Sequence, residues 1–479
     1  MNTRRRILLA NASIATSEEV RQGTLLIEDG IIREIWKPGD DGMTMFEGIE
    51  TEFTAIPDLV RGRMPETEIR DLTGKVLMAG GIDAHVHFRE PGMTSKADIG
   101  SESLAALLGG VTSFIVMPNT NPPTVNIGRV REKCSLSEGR SYANWGFHIG
   151  ATNDNLGELA DLVASAEGEE FGGIKVFMGS STGNMLVDRE KTLEGIFRMK
   201  NVRIPVHCED EDIIKANLAA AREKYGDTIP MPEHENIRSR QACIRSTAKA
   251  LQMAMECGTG LHITHVTTAE EVDMIRTAKR YNPGISAETS ANYLWFSNED
   301  YEKYGSRIKC NPAVKALSDR TALRKALAEG VIDTIGSDHA PHLPEEKARP
   351  YTSCPSGMPS IQQSIAVVLT VSSQEGIPLT RIASAISEKP AELYGIKNRG
   401  HLQKGYAADI IVIDLNKEFT VDRAGSGPGG IAYKCGWSPY EGIRLKGYVE
   451  DVYLNGWHVV SGGRLKDSTP RSTALAFEK

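Results

Sequence analysis

The sequence predicts an α/β protein built on a TIM (β/α)8 barrel, with a small β-sandwich domain that both chain ends form together. The chain has 479 residues, which is more than one hydrophobic core usually organises. Short apolar runs alternate with helical stretches from about residue 78 to 395, whereas both chain ends carry strand patterns. We therefore expect a composite β domain at 1–77 and 397–479 and a catalytic barrel at 78–396.

The two chain ends have the same kind of strand pattern. Candidate strands cover residues 7–9, 24–27, 31–35, 408–413, 448–454 and 457–460. Asp29-Gly30 and Asn455-Gly456 are turn dipeptides between neighbouring strands. Each set is too small to be stable alone, so we expect the two sets to pair.

Eight candidate strands occupy the central region, and almost all of them end in a polar or ionisable residue. These strands end at His87, Asn119, His148, Phe177, His207, His265, Glu288 and Asp338. A parallel strand buried on both faces should be apolar throughout, and a polar end is unfavourable unless it faces an open edge. In a TIM barrel this edge is the carboxyl end of the strands, where active sites lie. Helical periodicity fills the gaps, as at 99–109, 156–166, 237–257 and 317–329.

The composition excludes several classes of function. The net charge is -8 and the basic residues are dispersed, so no nucleic-acid partner is expected. No apolar run is long enough to span a membrane. The seven cysteines form no CxxC pair, which is typical of a reducing cytoplasm. Arg4-Arg5-Arg6 and the apolar run after it superficially resemble a secretion signal, but Asn11 interrupts the run. We expect a cytoplasmic protein with a small-molecule substrate, and a homodimer is one oligomeric state that the sequence permits.

His85 and His87 form an H-x-H pair at a strand end, where alternation points both imidazoles to one side. His207, His265 and Asp338 end three other candidate strands. Imidazole and carboxylate ligands together favour zinc over magnesium or calcium. His262 competes with His265, but the opposite parity on the strand favours His265.

Lys175 lies inside an apolar strand, where an uncompensated ammonium is unfavourable. One interpretation is a lysine that reaches the barrel mouth or pairs with a carboxylate. The other is a lysine that has reacted with carbon dioxide, because the carbamate is an anionic ligand able to bridge two metal ions.

These residues resemble the amidohydrolase superfamily, in which a strand-one H-x-H, a barrel lysine carbamate, two further histidines and an aspartate occur together. Finer motifs resemble the dihydroorotases. They are Gly81-Ile82-Asp83-Ala84-His85-Val86-His87-Phe88-Arg89-Glu90-Pro91-Gly92, Met117-Pro118-Asn119-Thr120-Asn121-Pro122, Gly336-Ser337-Asp338-His339-Ala340-Pro341-His342 and Cys435-Gly436-Trp437-Ser438-Pro439.

The resemblance implies a complete set of site residues and a reaction. The implied ligands of two Zn²⁺ ions are His85, His87, Lys175, His207, His265 and Asp338, with Lys175 carboxylated. The implied substrate-binding residues are Arg89, Asn119, His342 and Asn311. Asp338 would also be the catalytic acid and base. The implied reaction is the reversible cyclisation of N-carbamoyl-L-aspartate to L-dihydroorotate in pyrimidine biosynthesis.

One departure from the family pattern and one further resemblance leave alternative functions open. Ala291-Asn292-Tyr293-Leu294 stands where many relatives have paired histidines, and the Lys175 segment also resembles hydantoinases and dihydropyrimidinases. The alternatives are therefore another cyclic amidase, including an allantoinase, or a non-catalytic dihydroorotase-like assembly subunit. Arg89 and Asn119 favour an anionic substrate, because a neutral ring gains nothing from a buried guanidinium.

The segment 343–359 follows Asp338 and is rich in proline, serine and charge. We expect it to be a loop over the barrel mouth, acting either as a lid or as an ordinary surface loop.

Overall fold

The computed structural model describes residues 5–39, 44–45, 49–50, 52–179 and 185–478, so Arg4 and small parts of the predicted domain ranges lie outside the described residues. The strands are β1 (Arg6–Ala15), β2 (Val20–Glu28), β3 (Ile31–Trp36), β4 (Thr44–Met45), β5 (Ile49–Glu50), β6 (Glu68–Asp71), β7 (Val76–Ala79), β8 (Gly81–Val86), β9 (Val111–Val116), β10 (Asn144–Phe147), β11 (Ile149–Gly150), β12 (Ile174–Phe177), β13 (Ile204–His207), β14 (Leu261–Ile263), β15 (Ser286–Ser290), β16 (Thr334–Gly336), β17 (Ile410–Thr420), β18 (Arg444–Leu454), β19 (Trp457–Ser461) and β20 (Arg464–Leu465). The helices are α1 (Ile56–Arg63), α2 (Ile99–Leu108), α3 (Ile127–Ser137), α4 (Leu156–Ala164), α5 (Glu190–Phe197), α6 (Glu211–Tyr225), α7 (His234–Ile237), α8 (Arg240–Cys257), α9 (Ala269–Ala278), α10 (Ala291–Trp295), α11 (Tyr301–Tyr304), α12 (Leu317–Glu329), α13 (Pro344–Lys347), α14 (Ile361–Glu375), α15 (Leu379–Ala383) and α16 (Lys389–Tyr394).

Both chain ends contribute to one sheet of nine strands, which we call the chain-end sheet. Its order is β20-β19-β18-β17-β7-β1-β2-β3, and β6 pairs with β1. β7 joins the two ends, because Leu77 is paired with Ile14 on one side and with Val412 on the other. All three side chains are buried, so apolar packing stabilises the pairing. The predicted β unit shared by both ends is therefore present as a sheet, while its form as a sandwich and the domain boundaries stay predictions.

The central region contains two parallel sheets, which together we call the central strands. The first has the order β10-β9-β8 and the second the order β11-β12-β13-β14-β15-β16. Only His148 separates β10 from β11, and its backbone N–H donates to Val116 O at 3.0 Å. At the other end of the series, Val86 forms a parallel bridge with His339, and His87 N donates to His339 O at 2.8 Å.

Helices follow the central strands, as the alternating pattern predicts. The predicted helices at 99–109, 156–166, 237–257 and 317–329 are present as α2, α4, α8 and α12. The first of them begins with a capping box, in which Asp98 accepts from Ser101 N at 2.9 Å. The helices pack on fully buried strands such as β12, so the polar residues that follow those strands collect at one edge.

Four of the predicted strand ends are wrong by two or three residues. β9 ends at Val116 and not at Asn119, and β15 extends past Glu288 to Ser290. β14 ends at Ile263 and β16 at Gly336, whereas the polar pattern placed these ends at His265 and Asp338. His265 has a φ of 41° and Asp338 a φ of 47°. This left-handed backbone is incompatible with a strand, so the ladder stops before each residue. Among the described residues, no helix is both long and apolar enough to cross a membrane.

Candidate metal centre and substrate cavity

A cavity of about 350 Å³ lies at the carboxyl ends of the central strands. All ten residues that the sequence analysis proposed for the site line it, namely His85, His87, Arg89, Asn119, Lys175, His207, His265, Asn311, Asp338 and His342. Arg238 and Phe177 also line it, although no sequence pattern assigned them to the site. Residues 355–357 line it too, and they belong to the segment 343–359 that was expected to lie over the barrel mouth. The cavity therefore brings together five histidines, a lysine and a carboxylate.

His85, His87 and Asp338 form the tightest group in the cavity. Asp338 Oδ1 lies 3.5 Å from His85 Nε2 and 3.2 Å from His87 Nε2. One ligand atom from each residue lies within 4.8 Å of the other two. Burial opposes ionisation of Asp338, but His85 and His87 outweigh it and lower its pKa. Burial lowers the pKa of His87 to about 4, so its imidazole is neutral at pH 7.

His207 and His265 form a second pair beside this group. His207 Nδ1 and His265 Nε2 are 2.9 Å apart, and the ring centres of His85 and His265 are 5.2 Å apart. Burial lowers the pKa of both residues, so both are neutral donors of a nitrogen lone pair. The Nδ1 atom of His265 is buried and has no hydrogen-bond partner among the described residues.

Lys175 is buried between these groups on β12. Its ammonium donates to Thr264 Oγ1 at 3.1 Å. Burial lowers the pKa of Lys175 to about 8, which increases the fraction of free amine at neutral pH.

The donor set fits a metal centre. Neutral imidazoles and a carboxylate converge within a few ångströms, and the unpartnered His265 Nδ1 is a buried polar atom that a ligand or water must satisfy. The residues present therefore match the chemistry of a zinc-type site, as the sequence predicts.

Two of these histidines form hydrogen bonds with buried carboxylates. Glu288 accepts from His85 Nδ1 at 2.6 Å, and Glu209 accepts from His207 Nε2 at 2.9 Å. Glu209 also forms an ion pair with Arg238. Burial opposes the ionisation of Glu288, but His85 and His262 outweigh it and lower its pKa. Such contacts fix which ring nitrogen faces the cavity.

No sequence pattern assigned a role to Glu288, Glu209 or Arg238. Glu288 carried a usable signal, because it ends a candidate strand as the metal-binding residues do. Glu209 is two residues beyond His207, but spacing alone does not show that a carboxylate faces an imidazole. Arg238 has no local signal, since it enters the cavity from a segment before α8.

His262 and His265 have different positions relative to the cavity. His262 lies within β14, where its Nδ1 contacts Ser286 Oγ at 2.8 Å and its Nε2 lies 3.6 Å from Glu288. Only His265 lines the cavity. The choice of His265 is consistent with the structure, although a left-handed turn rather than strand parity directs its side chain.

A second group of donors lies at the outer side of the cavity. Arg89 is buried, its Nε donates to Pro341 O at 3.1 Å, and its Nη2 lies 3.1 Å from His342 Nε2. Asn119 Oδ1 lies 2.7 Å from His87 Nδ1 and so accepts its proton, which leaves the amide N–H groups for another partner. Asn311 Oδ1 is buried without a partner among the described residues. Burial lowers the pKa of Arg89 to about 10, so it remains a cation at neutral pH.

The cavity lining does not include Ala291-Asn292-Tyr293-Leu294, the segment that stands where many relatives have paired histidines. Asn292 donates to Ser337 O at 3.1 Å and accepts from Tyr440 at 2.7 Å, and Tyr293 donates to Pro312 O at 2.7 Å. These residues support the segment that carries Asp338.

The chain is similar to several known proteins. The amidohydrolase family model matches residues 76–457. A dihydroorotase of Methanosarcina mazei is 33% identical over 386 residues, which are 78% of this chain and 81% of that protein. An allantoinase of Deinococcus radiodurans is 30% identical over 424 residues, which are 86% of this chain and 90% of that protein. The solved structure of an L-hydantoinase (dihydropyrimidinase) from Arthrobacter aurescens has a TM-score of 0.86 at 24% identity, covering 98% of this chain and 99% of that one. This last likeness concerns the fold alone.

Proposed function

This chain belongs to the amidohydrolase family and is a hydrolase that acts on cyclic amides, and from this premise we propose that it is a dihydroorotase. The proposed reaction is the reversible, zinc-dependent cyclisation of N-carbamoyl-L-aspartate to L-dihydroorotate, a step of pyrimidine biosynthesis. Both molecules carry a carboxylate that takes no part in the reaction, on a carbon that one methylene group separates from the reacting carbonyl.

The observation that carries this proposal is the position of Arg89. Its guanidinium is buried in the same cavity as the His85, His87 and Asp338 group, and no carboxylate forms an ion pair with it among the described residues. A buried cation without an anionic partner is unfavourable, so the site is suited to a ligand that brings one. Arg89, His342 and Asn119 supply the donors that a carboxylate accepts from.

The proposed metal ligands are His85, His87, Lys175, His207, His265 and Asp338. Two Zn²⁺ ions held there, bridged by Lys175 as its carbamate, would polarise the amide carbonyl and lower the pKa of a water molecule to about 7. The lowered pKa of Lys175 supports the carbamate, because the free amine is the form whose nitrogen bonds to carbon dioxide with loss of a proton.

Asp338 is the residue we assign to proton transfer. Its carboxylate faces the inner histidines, and its lowered pKa keeps it ionised at neutral pH. In ring opening, Asp338 accepts a proton from the attacking water and passes it to the ring nitrogen that leaves. In ring closure the same carboxylate takes a proton from the ureido nitrogen as that nitrogen attacks the carbon of the protonated side-chain carboxyl group. Asp338 then passes the proton to the carboxyl oxygen whose C–O bond breaks, and this oxygen leaves as water.

We further propose that the central strands close into an eight-stranded TIM barrel, with domains at 78–396 and at 1–77 with 397–479. The Val86–His339 bridge supports closure between the first and last strands, and the single residue between β10 and β11 supports continuity across the two sheets. Cavities at the carboxyl ends of the strands are typical of this fold.

The experiment that tests the function compares four rings. Purified protein supplied with zinc is incubated with L-dihydroorotate, dihydrouracil, hydantoin and allantoin, and ring opening is followed by chromatography. The zinc content is measured on the same sample. We expect turnover selective for dihydroorotate and about two zinc ions per chain.

The other outcomes identify the alternatives. Turnover of allantoin alone would favour an allantoinase, which the relative from Deinococcus radiodurans makes the second candidate. Turnover of dihydrouracil or hydantoin alone would favour a dihydropyrimidinase or hydantoinase. Either result would contradict the carboxylate-binding role of Arg89.

A further inference from the structure

The imidazole of His342 lies close to two cations, and its Nδ1 is 3.8 Å from Glu346 Oε2. Its Nδ1 lies 3.1 Å from the ammonium of Lys96. Its Nε2 lies 3.1 Å from Arg89 Nη2 and 3.1 Å from the backbone oxygen of Ser356. Neither the sequence motifs nor the family resemblance assigned a role to Lys96.

Two of these three contacts favour the same proton arrangement on the imidazole. An ammonium has three donors and no acceptor, so Nδ1 facing Lys96 must carry a lone pair. A carbonyl oxygen is an acceptor only, so Nε2 facing Ser356 must carry the proton. Burial together with Arg89, Lys96 and Lys347 lowers the pKa of His342 far below its ordinary value, which agrees with a neutral ring.

The Nε2–H form leaves a donor–donor contact between His342 and Arg89. Arg89 Nη2 and His342 Nε2 are 3.1 Å apart, and neither N–H group can accept from the other. An anionic oxygen that both groups can reach relieves this contact, because it accepts from Arg89 and shares the Nε2–H of His342 with Ser356 O. With the proton on Nδ1 instead, Nε2 would accept from Arg89 and consume that donor.

Lys96 is itself held in place. Its ammonium forms an ion pair with Glu346 Oε1 at 2.9 Å, and both side chains are less than a fifth exposed. The other oxygen of Glu346 accepts from Leu343 N at 3.0 Å. The lysine is therefore fixed between the carboxylate and the imidazole.

We propose that Lys96 is a positioning and specificity-determining residue, which holds His342 as its Nε2–H tautomer so that His342 and Arg89 together bind the substrate carboxylate. The identity of that carboxylate rests on the proposed function, whereas the tautomer does not. Lys96 acts through His342 and does not itself need to touch the substrate.

The test compares Lys96→Met with Lys96→Arg, which keeps a cationic donor, and with Lys404→Met. Lys404 is an exposed lysine paired with Glu34 and serves as the control. Nitrogen NMR of protein labelled with ¹⁵N-histidine reports the tautomer, and a His342→Gln sample identifies the signals. Steady-state kinetics with L-dihydroorotate on the zinc-loaded protein give KM and kcat.

We expect the parent protein to show the Nε2–H form of His342. In Lys96→Met the Nδ1–H form should appear and KM should rise about tenfold with kcat changed less than about threefold, as for loss of one charge-assisted hydrogen bond. Lys96→Arg should stay closer to the parent in both measurements, and Lys404→Met should match the parent.

An Nδ1–H tautomer in the parent, or an unchanged tautomer in Lys96→Met, would overturn the proposal. A changed tautomer with unchanged KM would overturn the specificity role. If the parent does not turn over dihydroorotate, the proposed function fails and the substrate role falls with it, while the NMR comparison still decides whether Lys96 sets the tautomer.

Discussion

Asp338 is the single residue on which proton transfer depends. We expect Asp338→Asn to lower kcat by about a hundredfold to ten-thousandfold, because an amide cannot accept the proton of the attacking water. Much of the zinc should remain bound, since the histidines are unchanged. The measurements are kcat and zinc content, with the exposed Asp273→Asn as the control. Turnover close to that of the parent would contradict the role of Asp338.

Arg89 is the residue that separates an anionic from a neutral substrate. We expect Arg89→Met to lower kcat/KM for dihydroorotate by about tenfold to a hundredfold, as for loss of a charged hydrogen bond. Any slow turnover of dihydrouracil should change less, because that ring has no carboxylate. Equal losses on both rings would show that Arg89 supports the structure of the cavity and not substrate choice.

Lys133 gives a prediction about pH. Its ammonium is buried on α3 without a hydrogen-bond partner among the described residues, and burial lowers its pKa from 10.5 to about 7. Between these values the unfolded chain binds more protons than the folded chain, so this residue makes stability rise with pH across that window. Lys133→Met should raise the free energy of unfolding at pH 7.5 by on the order of 2 kcal/mol and flatten the rise up to about pH 10.

Urea denaturation at several pH values measures this effect, and Lys325→Met is the control because that side chain is 74% exposed. A variant that is less stable than the parent at pH 7.5 would contradict the prediction.

At the residue scale, the sequence predicts which side chains line the cavity better than it predicts their partners. The ten proposed residues converge because polar ends of buried parallel strands share one edge. Glu209, Arg238 and Lys96 were not assigned because their roles depend on contacts across the fold. Lys96, for example, meets His342 from 246 residues away in the chain.

At the scale of elements, hydrophobic patterns predict helices and strands but not the backbone at their ends. α12 begins and ends where the periodicity places it. β14 and β16 end early because His265 and Asp338 have left-handed backbones, and Arg89 has one too, with a φ of 63°. Such conformations are unfavourable for residues other than glycine, and the surrounding structure must stabilise them. No pattern of apolar and polar residues encodes them.

The segment 343–359 also belongs to this scale. Lys347 donates to the backbone oxygens of Lys309, Pro355 and Gly357 at 3.1, 3.0 and 2.9 Å. Gly357 N also donates to Lys309 O, at 2.9 Å. Residues 355–357 line the cavity, so this lysine fixes part of its wall. These contacts favour a fixed wall over a lid that opens.

We expect Lys347→Met to make local opening of this part of the cavity wall more frequent. The amides of Ser356 and Gly357 should exchange with deuterium about tenfold faster or more, because local opening loses three hydrogen bonds that oppose it. KM for the substrate should rise with the loss of order. Hydrogen exchange followed by mass spectrometry measures this, with Lys389→Met as a control on a partly exposed lysine. Unchanged exchange at 355–357 would show that the loop is held by other contacts.

At the scale of the whole molecule, the chain-end sheet and the central strands lie close together where β7 leads into β8. β7 ends at Ala79 and β8 begins at Gly81, so only Gly80 separates the two sheets. Gly80 N donates to Asp409 O at 2.9 Å, and a Cβ atom at Gly80 would lie 2.2 Å from Thr112 Oγ1. The family membership predicted from the sequence is confirmed, but this close junction could not be predicted, because it depends on how two distant parts of the chain pack.

This junction predicts that the two parts unfold together. Leu77 is fully buried between Ile14 and Val412 in the chain-end sheet, so Leu77→Ala should lower the free energy of unfolding by about 3 kcal/mol. Loss of activity and hydrogen exchange at 410–413 should then show the same urea midpoint, although the cavity lies in the central strands. Val20→Ala in the same sheet is the control, because Val20 is 45% exposed and its truncation should change stability by less than about 0.5 kcal/mol. Exchange at 410–413 at a lower urea concentration than the loss of activity would mean that the chain-end sheet unfolds independently, and that Gly80 joins the two parts without coupling their stability.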